Sequence, residues 1–111
     1  MHRTLLVARM DPRDTEAVGD VFAESDASEL PRLVGVSRRT LFSFHDLYFH
    51  LVEADADITP NLRGVRDHAL YRDVDTKLRK FVSPYDPGWA GPQDAMASPF
   101  YVWTAEQGRI R

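Results

Sequence analysis

Cysteine is absent from this chain of 111 residues. Disulfide bridges, thiolate nucleophiles and cysteine-ligated zinc or iron–sulfur sites are therefore excluded. Apolar runs stay well short of the ~20 residues that a membrane-spanning helix needs. The apolar part of the N-terminus is also too short for a signal peptide. These absences predict one cytoplasmic domain, residues 1–111, with no contact with a membrane.

An excess of positive charge is also lacking, since 14 Lys and Arg stand against 17 Asp and Glu, the formal net charge is −3 and no lysine cluster occurs. The densest basic pair, Arg38–Arg39, lies within a strand pattern, which argues against a nucleic-acid partner. The histidines His45, His50 and His68 lack the spacing of metal ligands, so we predict no metal site.

The first half of the chain predicts a strand, a helix and a hairpin. Residues 3–10 favour a strand, and Asp11-Pro12 is a helix start, because an Asp cap followed by proline suits the first helical turn. That helix should end before Pro31. Residues 33–44 and 47–54 are rich in Val, Leu, Phe and Tyr and predict the two strands of a β-hairpin.

The second half predicts a helix, a long loop and a strand. Thr59-Pro60 repeats the cap-and-proline pattern, and the helical region that follows should break near Asp67–His68 and stop at Pro84. Residues 83–99 hold four of the seven prolines and favour a loop. Residues 100–104, FYVWT, favour the last strand, and residues 105–111 a frayed tail.

This order of elements is that of an α+β ferredoxin-like βαββαβ fold with an antiparallel sheet. Helices cover one face of such a sheet, whereas both faces of this hairpin carry apolar residues. A second copy of the chain is the expected cover for the other face, which would make the protein a homodimer, a dimeric α/β barrel.

The hairpin has a definite register if His45 and Asp46 form its turn. The pairs on one face would be Ser43–Tyr48, Leu41–His50 and Arg39–Val52, and those on the other face Phe44–Leu47, Phe42–Phe49, Thr40–Leu51 and Arg38–Glu53. Arg39 and His50 are then diagonal neighbours on one face. A shift of a single residue would separate them. Arg38 and Glu53 would form a structural ion pair on the opposite face.

Arg39 and His50 are the strongest candidates for chemistry. Burying such side chains without partners costs several kcal/mol, so the pattern predicts a cavity with polar contents beside the hairpin. Arginine beside a neutral histidine lowers the pKa of the histidine and suits proton transfer. The alternatives are a hydrogen-bonded core histidine and a structural ion pair of Arg39 with Asp26 or Asp55.

A long motif in the hairpin resembles the small aromatic polyketide cyclases of the tetracenomycin type: residues 30–55 read LPRLVGVSRRTLFSFHDLYFHLVEAD. The similarity continues in ARMDP at 8–12, FAESDASELP at 22–31, SPYDPGW at 83–89 and FYVWTA at 100–105. The resemblance implies a ferredoxin-like homodimer without a cofactor. It also implies an enzyme that closes rings of a poly-β-ketone by aldol condensation and dehydration. The substrate would be free or bound to an acyl carrier protein.

The same resemblance implies that the catalytic residues are Asp26, Arg39 and His50. A neutral His50 would act as base and then acid, and Arg39 would hold the developing oxyanion. Some family members carry His-Asp where this chain has Ser25-Asp26, so one possible proton shuttle is missing.

Four further residues are predicted to contact the substrate. Tyr48, Ser43 and Leu41 share the hairpin face with Arg39 and His50, and Trp103 belongs to the aromatic last strand. Two other functions fit the pattern: a cofactor-free monooxygenase of the same shape, and a non-catalytic polyketide-binding chaperone. Oxygen consumption would distinguish the first, and turnover lost with binding retained in His50→Ala would argue against the second.

Overall fold

The structure, a computed structural model, describes residues 1–111. Its centre is a four-stranded antiparallel sheet in the order β2-β3-β1-β4. The strands are β1 (His2–Met10), β2 (Val36–Phe44), β3 (Leu47–Ala54) and β4 (Val82–Pro84). The predicted α+β architecture with an antiparallel sheet is confirmed, and the strand order is compatible with the ferredoxin-like arrangement.

Four helices connect these strands: α1 (Thr15–Asp26), α2 (Leu30–Val34), α3 (Thr59–Val65) and α4 (Ala69–Leu78). The Asp11 side chain accepts a hydrogen bond from the backbone of Arg13 and begins a short 3-10 turn that leads into α1. The predicted break in the second helical region is confirmed, since the His68 side chain accepts a hydrogen bond from the Leu70 N–H at the start of α4.

The boundary before the hairpin differs from the prediction. Residues 30–34 form α2 rather than the start of a strand, and β2 begins only at Val36. The cause is Gly35, which has φ 93° and ends α2 in the left-handed region that glycine adopts without strain.

The prediction for the last strand is wrong. The fourth strand of the sheet is β4, which pairs with β1, and Met96 continues the same edge through a bridge to Leu6. Trp103–Thr104 (β5) instead pairs with Gly108–Arg109 (β6) in a separate two-stranded sheet. The expected frayed tail over 105–111 is accordingly the turn and return strand of this small hairpin.

The register predicted for the β2–β3 hairpin is confirmed for every pair from Arg38–Glu53 to Phe44–Leu47. His45 stands in the turn with φ 54°. This register places Tyr48, His50, Val52 and Ala54, all buried, on the face that packs against the helices.

The opposite face of the sheet, which we call the open face, carries no helix. Its apolar side chains come from three strands: Leu5, Val7, Phe42, Phe44, Leu47, Phe49 and Leu51. Phe42 and Phe44 are 50% and 61% exposed. None of the helices combines the length and apolar character needed to cross a bilayer.

Candidate active site

Four side chains form a continuous hydrogen-bonded chain, which we call the polar relay: Asp26, Arg39, His50 and Tyr48. The Asp26 carboxylate accepts from Nε of Arg39 at 3.1 and 3.2 Å and from Nη2 at 2.8 Å. Nη1 of Arg39 lies 2.8 Å from Nε2 of His50. Nδ1 of that ring lies 3.2 Å from the Tyr48 hydroxyl. The sheet aligns the relay. Tyr48 and His50 are two residues apart on one face of β3, and Arg39 on β2 is a diagonal neighbour of His50 on the same face.

The relay runs from the surface into the core. The side chain of Asp26, at the end of α1, is 40% exposed, that of Arg39 is 15% exposed, and His50 and Tyr48 are buried. Phe22, also on α1, covers the middle of the relay, with its ring 4.7 Å from the Arg39 guanidinium and 5.0 Å from the imidazole of His50. The partly buried guanidinium of Arg39 is therefore paired with a carboxylate and stacked on an aromatic ring, and both contacts offset the cost of removing its charge from water.

His50 is neutral in this setting. Burial, and after it the charge of Arg39, lowers the pKa of His50 from 6.5 to about 3. Burial also raises the pKa of the Tyr48 hydroxyl well above its ordinary value. The expected lowering of the His50 pKa is confirmed in direction, and Tyr48 remains a protonated hydrogen-bond donor at all physiological pH values.

Two cavities meet at Tyr48 and His50. The inner cavity, about 150 Å³, lies between the sheet and the helices and has a mainly apolar wall that includes Leu30, Val52 and Ile58. The outer cavity, about 500 Å³, opens toward β4 and the loop that carries Trp89. Its size falls within the range of about 300–1,000 Å³ found for small-molecule sites.

The structure brings the three predicted catalytic residues together, but only one of the four predicted substrate contacts. Tyr48 lines both cavities. Leu41 packs in the core beneath α1, Ser43 is exposed near the hairpin turn, and Trp103 is 58% exposed in the β5–β6 hairpin. None of these three lines either cavity, so their positions do not support substrate contact.

The helix side of the cavities was missed at the level of sequence. Tyr71 and Asp75, four residues apart on α4, line both cavities, and Ser25 lines the inner one. Tyr71 and Asp75 are four residues apart on α4, as are the apolar residues Val74 and Leu78, so all four lie on the side of the helix that the spacing predicts to face the sheet. The spacing did not indicate that this side borders a cavity.

The ion pair predicted between Arg38 and Glu53 is not formed, although the two residues are opposite in the register. Glu53 is instead 3.7 Å from Arg3 on the neighbouring strand β1. Nowhere in the structure are three or more His, Asp or Glu side chains arranged to hold a metal ion.

Fold and site together define an α+β protein with a buried polar relay at the wall of an apolar cavity. A family model described as "Polyketide synthesis cyclase" matches residues 2–104. The chain belongs to this family.

Individual relatives agree with this membership. The chain is 48% identical to tetracenomycin F2 cyclase of Streptomyces glaucescens over 94% of this chain and 95% of the relative. It is 45% identical to the polyketide synthase CurG of Streptomyces cyaneus over 93% and 97%. The solved structure of the S. glaucescens tetracenomycin F2 cyclase, described as a type-II polyketide cyclase, superposes with a TM-score of 0.89 and covers 95% of this chain and 99% of that one.

Proposed function

We propose that this protein is an aromatic polyketide cyclase, which directs aldol ring closure and dehydration of a poly-β-ketone. The observation that carries the proposal is the buried polar relay ending at the wall of a largely apolar cavity. A poly-β-ketone is a flexible, uncharged chain of alternating carbonyl and methylene groups that closes into a flat, hydrophobic aromatic product. The apolar wall fits that product, and the relay supplies polar contacts for a carbonyl. Membership of the polyketide synthesis cyclase family and the identity with a tetracenomycin F2 cyclase support the same function.

Much of the catalysis in this proposal comes from confinement. The methylene groups between carbonyls readily form enols, so an unconfined chain has many possible ring closures. An apolar cavity of fixed shape selects one folded conformation and holds the reacting carbons close together, and such positioning contributes a large share of rate enhancement in general. The same walls exclude water and strengthen hydrogen bonds to developing negative charge.

The roles proposed for Asp26, Arg39 and His50 follow from the relay. Asp26 fixes the guanidinium through bidentate contacts, and Arg39 in turn fixes the imidazole of His50. A role for His50 as the base requires Nε2 to exchange Arg39 for a substrate proton, since Arg39 lies 2.8 Å from that nitrogen. Ser25 supplies a hydroxyl to the cavity wall where an imidazole would supply an ionisable group.

The protein would act as a homodimer. A homodimer that covers the open face would form the dimeric α/β barrel expected from the sequence, since Phe42 and Phe44 lie exposed on that face. The substrate would be a poly-β-ketone, free or held by an acyl carrier protein, and the protein would work in the cytoplasm without a cofactor.

The test is the product profile of a minimal aromatic polyketide synthase with and without this protein. We expect the added protein to replace a mixture of spontaneously cyclised products with one dominant aromatic product, while oxygen uptake remains unchanged. An identical mixture in both reactions would contradict a cyclase. Stoichiometric oxygen uptake would indicate the monooxygenase, and protection of the chain without turnover would indicate a chaperone.

A further inference from the structure

The tautomer of His50 follows from the chemistry of its two partners. A guanidinium carries only donors, so Nη1 of Arg39 must donate to Nε2 of His50, 2.8 Å away. Nε2 therefore carries a lone pair, and the single proton of the neutral ring is on Nδ1. That N–H donates to the Tyr48 oxygen at 3.2 Å.

The direction of the relay then fixes what Tyr48 can do. Its hydroxyl oxygen accepts from His50, and its own proton cannot return to Nδ1, which already carries one. Tyr48 is 5% exposed and lines both cavities. The hydroxyl proton is thus available to an acceptor in the cavity, such as a ligand carbonyl.

We propose that the Tyr48 hydroxyl is the catalytic hydrogen-bond donor to the substrate carbonyl that becomes the aldol oxygen, and that Asp26, Arg39 and His50 are positioning residues that act through it. This inference rests on the cyclase function proposed above. It gives His50 a different role from that of a base, because both ring nitrogens are committed to the relay.

The ring closure itself exchanges no proton or other atom with the protein. An enol carbon of the substrate forms a carbon–carbon bond to the carbonyl carbon, and the π electron pair of that carbonyl moves to its oxygen. The proton of the enol hydroxyl is the one that the new alkoxide finally carries, so the adduct is an isomer of the substrate. Tyr48 stabilises the oxygen while the charge develops, and loss of one water molecule from the adduct then gives the new double bond.

Each hydrogen bond in the relay strengthens the next one, in the order Arg39, His50, Tyr48. Arg39 withdraws electron density from Nε2, which makes the Nδ1 proton of His50 a stronger donor. That donor in turn polarises the Tyr48 hydroxyl, as linked hydrogen bonds do in a low-dielectric interior. The positive charge of Arg39, which is paired with Asp26, thereby makes the Tyr48 hydroxyl a stronger hydrogen-bond donor.

Glutamine at position 50 separates this inference from a base mechanism. Its amide oxygen can accept from Arg39 and its amide nitrogen can donate to Tyr48, so the polarity of the relay is kept, while glutamine has no basic nitrogen. We expect His50→Gln to keep kcat within about tenfold of the wild type, and His50→Leu to lose about 10²–10³-fold, the usual cost of a lost oxyanion donor. A loss in His50→Gln as large as that in His50→Leu, in folded protein, would overturn the inference.

Tyr48→Phe tests the donor itself. We expect kcat to fall by about 10²–10³-fold, with KM for a fixed polyketone nearly unchanged, because the ring still fills its place. Tyr101→Phe is the matched control, since its hydroxyl is in an exposed ring outside both cavities. Wild-type kcat in Tyr48→Phe would contradict the proposal.

Nitrogen-15 NMR of histidine-labelled wild-type protein provides a readout that does not depend on turnover. The His50 signals, identified by their absence in His50→Gln, should show a protonated Nδ1 and an unprotonated Nε2 between pH 5 and 8. The opposite tautomer, or an imidazolium, would overturn the inference. If the NMR result holds but wild-type protein leaves the product mixture of the synthase unchanged, the failure lies with the cyclase function.

Discussion

All three nitrogens of the planar Arg39 guanidinium make hydrogen bonds. Nε and Nη2 grip the Asp26 carboxylate, and Nη1 points the other way to His50. A lysine ammonium is a compact charge on a flexible stem, and it cannot span both partners with this geometry. The position therefore requires the fork of a guanidinium as well as its charge.

We expect Arg39→Lys to lower the rate of ring closure by about tenfold or more, because a charge-assisted hydrogen bond is worth about 1.5–3 kcal/mol and about 1.4 kcal/mol corresponds to tenfold. Arg38→Lys is the matched control, since Arg38 is exposed on the open face. Its rate should stay within about twofold, as for most surface substitutions. Rates on a fixed polyketone measure both variants, and equal losses would contradict the assignment.

The neutral state of His50 has a consequence for stability. Its pKa is lowered from 6.5 to about 3 by burial and then by Arg39. Between these values the unfolded chain binds a proton that the folded chain does not bind. The free energy of unfolding should therefore fall as the pH falls through this window, by up to about 1.4 kcal/mol per pH unit from this residue.

Urea unfolding of wild type and His50→Gln at pH 7, 6 and 5 measures this contribution. We expect the wild type to lose more stability on acidification than the variant, since glutamine does not titrate. Parallel losses in the two proteins would mean that the imidazole of His50 is protonated in the folded state as well.

At the scale of elements, the turn between α2 and β2 determines where the second strand begins. Gly35 has φ 93° there, whereas Gly19 lies within α1 with no atom within 4 Å of an added Cβ. The two glycines offer a matched pair, because an added methyl group meets backbone strain at one position and open space at the other.

Gly35→Ala should lower the free energy of unfolding by about 1–2 kcal/mol, the cost of a left-handed conformation for a residue with a Cβ. Gly19→Ala should raise it by about 0.4–1 kcal/mol, because alanine restricts the unfolded chain. Denaturant midpoints report both changes. Stabilisation by Gly35→Ala would show that this turn tolerates a side chain.

The elements also show what a sequence can and cannot predict here. The β2–β3 hairpin was predicted pair by pair, because a two-residue turn and strict alternation leave only one register that buries His50 with Tyr48. The fourth strand was missed because β4 has only three residues and includes Pro84. The aromatic run at 100–104 looked more like a strand, but most of it is exposed.

Some residues of the candidate site could likewise be predicted from the sequence, and others could not. Arg39 and His50 follow from local register, which the sequence specifies. Asp26 was one of two possible carboxylate partners of Arg39, and only the family resemblance favoured it, since its contact with Arg39 depends on how α1 crosses the sheet. Tyr71 and Asp75 were missed because the gap between α4 and the sheet depends on the packing of the whole chain.

At the scale of the whole molecule, the open face is the main unburied apolar surface of the sheet. It continues across β1, β3 and β2 through Leu5, Leu51, Phe49 and Phe42. Contiguous apolar surface of this kind marks an interface in soluble proteins, and a two-fold dimer would cover the same patch on both copies.

Sedimentation velocity at micromolar concentration should show a dimer for the wild type. Phe49→Glu should shift it to monomer, because a carboxylate from each copy would be buried without a partner in an interface formed by the open face. Leu33→Glu, an exposed position on α2, should remain dimeric. A monomeric wild type, or dissociation by Leu33→Glu alone, would place the interface elsewhere.

The alternation along β3 has a consequence for how such a protein diverges. Phe49 and Leu51 serve the open face, while the residues between and beside them, Tyr48 and His50, serve the relay. An insertion or deletion in this strand would exchange the two sets, so the strand has little freedom to vary. New substrate preferences should therefore arise by point substitutions in the helices that line the inner cavity, at Ser25, Tyr71 and Val74, while the sequence of the sheet changes little.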